Sequence, residues 1–212
     1  AACFAFSDSF WFSAVEGEVY AMASMLTALM LWLACKWEND AGLPRENKWL
    51  ILISLLIGLS VGVHLMAILV VPAICYIYYF RHYEFTWKSF AIANLITILI
   101  FYFIFKVIFS YTMSFFGKLE VFLLNTLGMP FQSGLLVGII LFFIVFFFAL
   151  WYTQKKNWVT ANTVVLSILF MIIGFSSWLV IPIRATANPH MNLNDPDDAI
   201  GLLNYFNREQ YG

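Results

Sequence analysis

The sequence predicts an all-α, polytopic transmembrane helical bundle. Of the 212 residues, 63% are hydrophobic and only 11% are charged, whereas a soluble domain carries about 25% charged residues. The mean hydropathy is +0.86, and the chain contains 23 phenylalanines. Such a chain has the hydrocarbon core of a bilayer as its main solvent. The composition excludes a water-soluble globular fold and a disordered chain.

The charge balance and the cysteines narrow the function classes further. A net charge of −1 creates no field that would attract nucleic acid, so we expect no nucleic-acid partner. Cys3, Cys35 and Cys75 stand singly in apolar surroundings, which argues against a disulfide framework and against a zinc site. We predict no metal site, and the sequence leaves a need for divalent metal open.

The first residues, AACFAF, resemble the last turns of an earlier helix. We therefore expect an internal piece of a longer membrane protein. After them, four apolar stretches each fit one crossing of about 20 residues: 19–37, 89–109, 135–152 and 158–181. Residues 1–183 form the predicted transmembrane portion, and 184–212 form a segment on the non-cytoplasmic side.

The apolar stretch 49–80 is too long for one ordinary crossing, since 32 residues of helix extend about 48 Å. Basic residues flank it on both sides, and short basic loops stay cytoplasmic. We therefore predict two short crossings, 49–62 and 64–80, that turn near Gly62–His64. Seven of the eleven Lys and Arg residues lie in the predicted cytoplasmic loops: Lys36, Arg45, Lys48, Arg81, Lys88, Lys155 and Lys156.

Two segments predicted on the non-cytoplasmic side are typical of short helices lying at the membrane interface. In 110–134, Phe115, Leu119 and Phe122 recur at helical spacing, with Lys118 and Glu120 on another side. In the last segment, Asp195-Pro196-Asp197-Asp198 is typical of a helix start, with a carboxylate cap and a proline in the first turn. Residues 199–206 then supply an apolar stripe.

Several polar residues at predicted membrane ends are candidates for chemistry. Glu16 and Glu18 precede a span directly, where a carboxylate suits proton transfer or cation binding; the alternative is a pair of acids that merely end a helix. His64 lies at membrane depth, where an ionisable group usually faces a cavity or a partner; the alternative is a histidine bonded to a neighbouring carbonyl.

The final segment adds further candidates. Arg184 directly follows a span, so its guanidinium is well placed for a lipid phosphate. Asn188 either binds sugar hydroxyls or caps a turn. Arg208 and Glu209 have the option of pairing with each other at the surface. The motifs typical of soluble enzymes, such as a Walker loop or HExxH, do not occur in this sequence.

Three segments together resemble one family: FSDSFWFSAVEGEVYAM, GLSVGVHL and IPIRATANP with the closing NREQYG. They are similar to bacterial membrane proteins, classed as a domain of unknown function, that are related to a eukaryotic transmembrane protein O-mannosyltransferase. That family belongs to the GT-C class of glycosyltransferases.

The resemblance implies a GT-C-like fold, an active site on the outer face, a sugar donor on a polyprenyl phosphate and a hydroxyl acceptor on a protein or glycan. It further implies an integral protein of the bacterial inner membrane. It makes Glu18 a candidate catalytic residue and implies substrate-binding roles for the following residues: His64, Arg184, Asn188, Arg208, Glu209, Gln210 and Tyr211.

The resemblance also implies that the catalytic acid of the first outer loop lies upstream of residue 1. Two other functions stay open at this point. A transporter or flippase would carry ionisable or helix-breaking residues near mid-bilayer, whereas here the central breakers are confined to Gly58–Pro72. The third hypothesis is that the chain is a non-catalytic assembly subunit.

Overall fold

The computed structural model of the chain describes residues 2–16, 19–43 and 45–212, the side chain of Gln210 excepted. Every regular element among these residues is helical, so the predicted all-α fold is confirmed. The α-helices, in chain order, are α1 (Ala2–Ala5), α2 (Asp8–Val15), α3 (Val19–Asp40), α4 (Lys48–Val61), α5 (Val71–His82), α6 (Trp87–Tyr102), α7 (Tyr111–Leu127), α8 (Ser133–Lys155), α9 (Val159–Phe175), α10 (Val180–Ala185) and α11 (Ala199–Asn207).

Shorter segments of other helix types lie between these helices. Leu65–Val70, Ser176–Leu179 and Glu209–Tyr211 are 3₁₀-helical, and Phe103–Ser110 is π-helical. Among the described residues, five helical runs are long and apolar enough to cross a membrane: Val19–Asp40, Leu65–His82, Trp87–Leu127, Ser133–Lys155 and Val159–Ala185.

The predicted crossing 49–62 corresponds to α4, which has 14 residues and extends about 21 Å. This helix ends at Val61, and the next helical segment begins after His64. The chain therefore breaks its helix within Gly62–His64. That α4 and Leu65–His82 each cross the membrane stays a prediction.

The helix predicted at the membrane interface within 110–134 corresponds to α7, which continues the helical run that begins at Trp87. That α7 lies at the membrane interface stays a prediction. The polar residues after Phe109 do not end the helix, since their hydroxyls bond to carbonyls of the helix itself. Ser110 Oγ donates to the Phe105 carbonyl at 3.1 Å, and Thr112 Oγ1 donates to the Ile108 carbonyl. Such back-bonding satisfies a hydroxyl inside an apolar helix.

The chain divides into two compact units. Unit 1 contains residues 1–101 and 167–176, and unit 2 contains residues 102–166 and 177–212. In unit 1, α3 packs against α4, α5 and the 3₁₀ segment. The buried side chains of α3 recur at helical spacing, at Ala23, Leu26, Met30, Leu33 and Trp37, and form one side of the core.

Two glycines bring α4 into backbone contact with the part of α9 that belongs to unit 1. A Cβ at Gly58 would collide with the Met171 carbonyl, and a Cβ at Gly174 would collide with the Leu55 carbonyl. Small residues at such a crossing let helix backbones approach closely in a membrane. The sequence motif that contains Gly58 therefore serves packing.

Polar contacts join α5 to α6 and α3 to α4 in unit 1. The Tyr76 hydroxyl donates to Asn94 Oδ1 at 2.6 Å, which links α5 to α6. Trp49 Nε1 donates to Asp40 Oδ2 at 2.7 Å, and Lys48 Nζ lies 3.5 Å from the same oxygen. The second contact ties the end of α3 to the start of α4.

In unit 2, α7 packs against both α8 and α11. Gly117 lies beside Leu203 of α11, and Gly138 of α8 lies beside the Phe116 ring. The rings of Tyr205 and Phe206 contact Trp178 edge-on, with centroids at 6.2 and 5.3 Å. Helix α11 is therefore held on two sides, by α7 and by Trp178.

Candidate functional site

His64 lies in unit 1 at the break between α4 and the 3₁₀ segment Leu65–Val70. Its own N–H donates to the Ser60 carbonyl at 2.8 Å, which closes the last turn of α4. Its backbone is extended, with φ −163° and ψ 131°. The side chain is half-buried, so the imidazole lies at the surface of the break.

The orientation of the His64 ring is fixed by a local hydrogen bond. Nδ1 accepts from the Met66 N–H at 3.1 Å, so His64 is the N-cap of the following segment. A neutral imidazole that accepts at Nδ1 carries its proton at Nε2. The Nε2–H group is therefore the donor that His64 offers to a ligand.

Tyr20, in the first turn of α3, lies against this ring. The Tyr20 and His64 ring centroids are 5.4 Å apart, with the planes inclined by 54°. Tyr20 is 47% exposed, so the pair forms a partly open aromatic corner. The contact places the start of α3 beside the break after α4, although the two lie more than 40 residues apart in the sequence.

The candidate carboxylates Glu16 and Glu18 precede α3 in the sequence. Glu18, the candidate catalytic residue, lies outside the described residues. Glu16 is exposed, and its N–H donates to the Phe12 carbonyl at 3.1 Å, at the end of α2. In this structure Glu16 ends a helix, as the alternative interpretation expects.

Arg184 and Asn188 lie in unit 2. Arg184 is an exposed residue in the last turn of α10. The chain then leaves the helix through Thr186, whose hydroxyl donates to the Ile183 carbonyl at 2.8 Å. Asn188 is exposed and has a φ of 48°, a left-handed conformation that asparagine tolerates well. Asn188 therefore shapes the turn, and its side chain remains accessible.

The predicted helix start near Asp195 is displaced by three residues. Asp195 instead accepts from Asn192 Nδ2 at 2.5 Å, and Asp198 is the N-cap of α11, where its carboxylate accepts from the Gly201 N–H. The cap therefore comes from the last of the four residues in the Asp-Pro-Asp-Asp run, and Pro196 lies before the helix. The local carboxylate cap is the expected type of contact.

Arg208 ends α11 in the left-handed conformation, with a φ of 59°. Arg208, Glu209 and Tyr211 are all exposed. The predicted option of an Arg208–Glu209 ion pair is not used, since the ion pair found among the described residues joins Lys48 and Asp40. The guanidinium of Arg208 is therefore not neutralised by its neighbour.

The structure thus brings Tyr20 and His64 together in unit 1 and holds Arg184, Asn188, Arg208, Glu209 and Tyr211 in unit 2. That Glu18, His64, Arg184 and Arg208 act in one outer site, as the family resemblance implies, stays a prediction. Among the described residues, no group of three His, Cys, Asp or Glu side chains is placed to hold a metal ion.

Sequence reasoning missed the environment of Glu120, which is 1% exposed. It was expected to share a side of its helix with Lys118, which is indeed exposed. The Glu120 carboxylate instead accepts from the Gln132 and Gly134 N–H groups, at 2.6 and 2.7 Å. A signal existed in the sequence, because α8 has no acidic residue in its first turn and so needs a partner for its N–H groups from elsewhere.

Comparison with known proteins gives one family. The model of the protein O-mannosyl-transferase TMEM260 N-terminal domain matches residues 1–87. The predicted family resemblance is confirmed over this segment. The matched residues include α3, α4 and the Tyr20–His64 corner. No curated protein and no solved structure matches the chain.

Proposed function

We propose that this chain is part of a GT-C-type membrane glycosyltransferase. It would move a sugar from a polyprenyl-phosphate donor to a hydroxyl of a protein or glycan on the non-cytoplasmic face. The observation that carries the proposal is the match of residues 1–87 to a protein O-mannosyl-transferase domain. The Tyr20–His64 corner lies within the matched segment.

The proposed role of His64 is to donate Nε2–H to the phosphate of the donor. The bond from Met66 N–H to Nδ1 supports this role, since it fixes the tautomer and leaves Nε2 for a ligand. A polyprenyl-phosphate keeps its tail in lipid and its phosphate at headgroup level. A histidine at a helix break at the end of a membrane helix suits that depth.

The proposed role of Arg184 is to bind a phosphate group, because a guanidinium matches phosphate oxygens through two parallel hydrogen bonds. Transfer to a hydroxyl also needs a base that takes the acceptor proton while the phosphate departs. Glu18 is the proposed base of this chain. Asn188, Arg208, Glu209 and Tyr211 are proposed contacts to the sugar or the acceptor.

A transfer assay tests the proposal. The purified protein that contains this chain is given a polyprenyl-phosphate mannose and a hydroxyl-bearing peptide, and mannosyl-peptide is measured. In His64→Asn the side-chain oxygen still accepts from the Met66 N–H, while the Nε2 donor is lost. We expect KM for the donor to rise roughly 10- to 150-fold, the equivalent of one lost hydrogen bond to a charged group.

His190→Ala is the matched control, because His190 is an exposed histidine of unit 2 to which no role is assigned. Its KM should equal that of the wild type. Arg184→Ala should raise KM as well, and Arg184→Lys should restore only part of the affinity.

Other outcomes would count against the proposal. Passage of the lipid-linked sugar across the bilayer without mannosyl-peptide would indicate a flippase. Transfer activity that is unchanged in both His64→Asn and Arg184→Ala would indicate a scaffolding role for this chain.

A further inference from the structure

Unit 1 contains an apolar groove that the proposed transfer reaction does not use. Its volume is about 520 Å³, within the range of about 300–1,000 Å³ that small-molecule ligands occupy. Leu50 of α4 contributes to it, but most of its lining comes from α5 and α6: Ile74, Tyr78 and Tyr79 of α5, and Ile92, Ala93 and Ile96 of α6.

Three hydroxyl groups that line the groove, those of Tyr79, Ser89 and Thr97, are occupied within the protein. Tyr79 Oη and Ser89 Oγ are 2.7 Å apart and hydrogen-bonded, and Thr97 Oγ1 donates to the Ala93 carbonyl at 2.8 Å. A sugar or an ion would find these groups already bonded, and burial of its polar atoms without partners would be unfavourable. The lining therefore suits a hydrocarbon.

The length of the groove indicates which hydrocarbon. Along α6 its lining runs from Ser89 to Ile100, which is about 16 Å at 1.5 Å per residue. That is about half of the ~30 Å hydrocarbon core of a bilayer, the depth of a single leaflet. A transmembrane helix of another chain would need a surface extending over the full thickness, whereas one lipid acyl chain needs only this depth.

Charge at one end of the groove indicates the headgroup. The lining of the groove extends to the loop between α5 and α6, where Tyr83 contributes to it. Arg81 and Lys88 flank this end and are exposed; Lys88 precedes Ile92 by four residues and so lies on the same side of α6. Glu84 is the acidic residue of this loop, so the two cations outnumber the acid. Basic residues at this depth attract anionic lipids.

We propose that this groove binds one acyl chain of an anionic glycerophospholipid from the leaflet at the basic end of α5 and α6. The acyl chain lies along Ile74, Ala93 and Ile96. The phosphate lies at the level of Arg81 and Lys88. Such a lipid fills the space between α4, α5 and α6 that side chains leave open.

Photolabelling in nanodiscs tests this proposal. The protein is reconstituted in phosphatidylcholine with a phosphatidylglycerol probe that carries a diazirine on one acyl chain, and adducts are mapped by mass spectrometry. We expect adducts concentrated on Ile74–Thr97. Replacing Arg81 by Gln should reduce them about fivefold, and so should Lys88→Gln. A phosphatidylcholine probe should label this region less than the phosphatidylglycerol probe.

Ala93→Phe fills the groove and should lower adduct yield about tenfold, whereas Ala91→Phe adds the same ring to an exposed position of α6 and should not. If Ala93→Phe does not fold, Ile96→Trp, at a groove position that is 49% exposed, provides the same obstruction. Labelling that is equal on the exposed face of α8 and on α5–α6, or that persists in both obstructed variants, would overturn the proposal. Loss of the adducts because a second copy of the chain occupies the groove would also overturn it.

Discussion

Glu120 shows how a single residue organises the second unit. It is the one charged side chain that is buried among the described residues, yet its carboxylate has two backbone N–H partners at the start of α8. The positive end of a helix dipole favours a carboxylate at this position. Glu120 therefore acts as the cap that α8 lacks in its own sequence.

Replacing Glu120 should destabilise the protein strongly. Glu120→Ala leaves two N–H groups without their acceptor, and each hydrogen bond to a charged group contributes about 1.5–3 kcal/mol. We expect a loss of roughly 3–5 kcal/mol in the free energy of unfolding, measured by denaturant titration in detergent. Glu120→Gln should lose less, because one amide oxygen remains as an acceptor.

Lys118→Ala is the control for this measurement, since Lys118 is exposed on the same helix and should change stability by less than about 0.5 kcal/mol. A Glu120→Ala variant as stable as Lys118→Ala would show that the carboxylate does not cap α8.

At the scale of elements, hydropathy predicted where the helices lie but not all of their ends. The span 135–152 falls within α8, and 19–37 falls within α3, because long apolar runs leave the backbone no alternative in lipid. The crossing predicted over 89–109 lies within a helical run that continues to Leu127, because Ser110 and Thr112 satisfy their hydroxyls within the helix. The burial of Glu120 depends on the start of α8, twelve residues away, and its signal in the sequence is the absence of an acidic residue from the first turn of α8.

The glycine crossing of α4 and α9 leaves no room for a larger side chain at either glycine. Gly58→Ala would place a methyl group against the Met171 carbonyl, and overpacking of this kind typically costs about 1–3 kcal/mol. We expect a lower midpoint of thermal unfolding in detergent for Gly58→Ala and again for Gly174→Ala.

The two glycine variants should not be additive, because both act on one interface. Ala91→Leu, which enlarges a side chain on an exposed face of α6, is the control and should leave the midpoint unchanged. Unfolding midpoints equal to the wild type in both glycine variants would mean that α4 and α9 separate easily.

At the scale of the whole molecule, the sequence predicted a multi-pass helical protein and its family resemblance, because both depend on composition and local motifs. Contacts between residues of different segments were harder to predict from the sequence. The Tyr20–His64 contact joins two motifs that were linked beforehand only through the family. The groove between α4, α5 and α6 was not anticipated, since it arises from side chains of three helices.

The orientation of the molecule is the remaining prediction, and it decides whether an outer site is possible. Basic loops predict that Lys156 lies in the cytoplasm and that the segment around Met191 lies outside.

In a variant with Cys3, Cys35 and Cys75 replaced by Ser, a single cysteine is introduced at Met191, which is 94% exposed, or at Lys156, which is also exposed. An impermeant maleimide applied to spheroplasts should label Met191→Cys and not Lys156→Cys. Permeabilised cells should show labelling at both positions, which controls for accessibility. Labelling of Lys156→Cys alone in intact spheroplasts would show the opposite topology, and Arg184, seven residues before Met191, would then face the cytoplasm, away from any acceptor on the outer side.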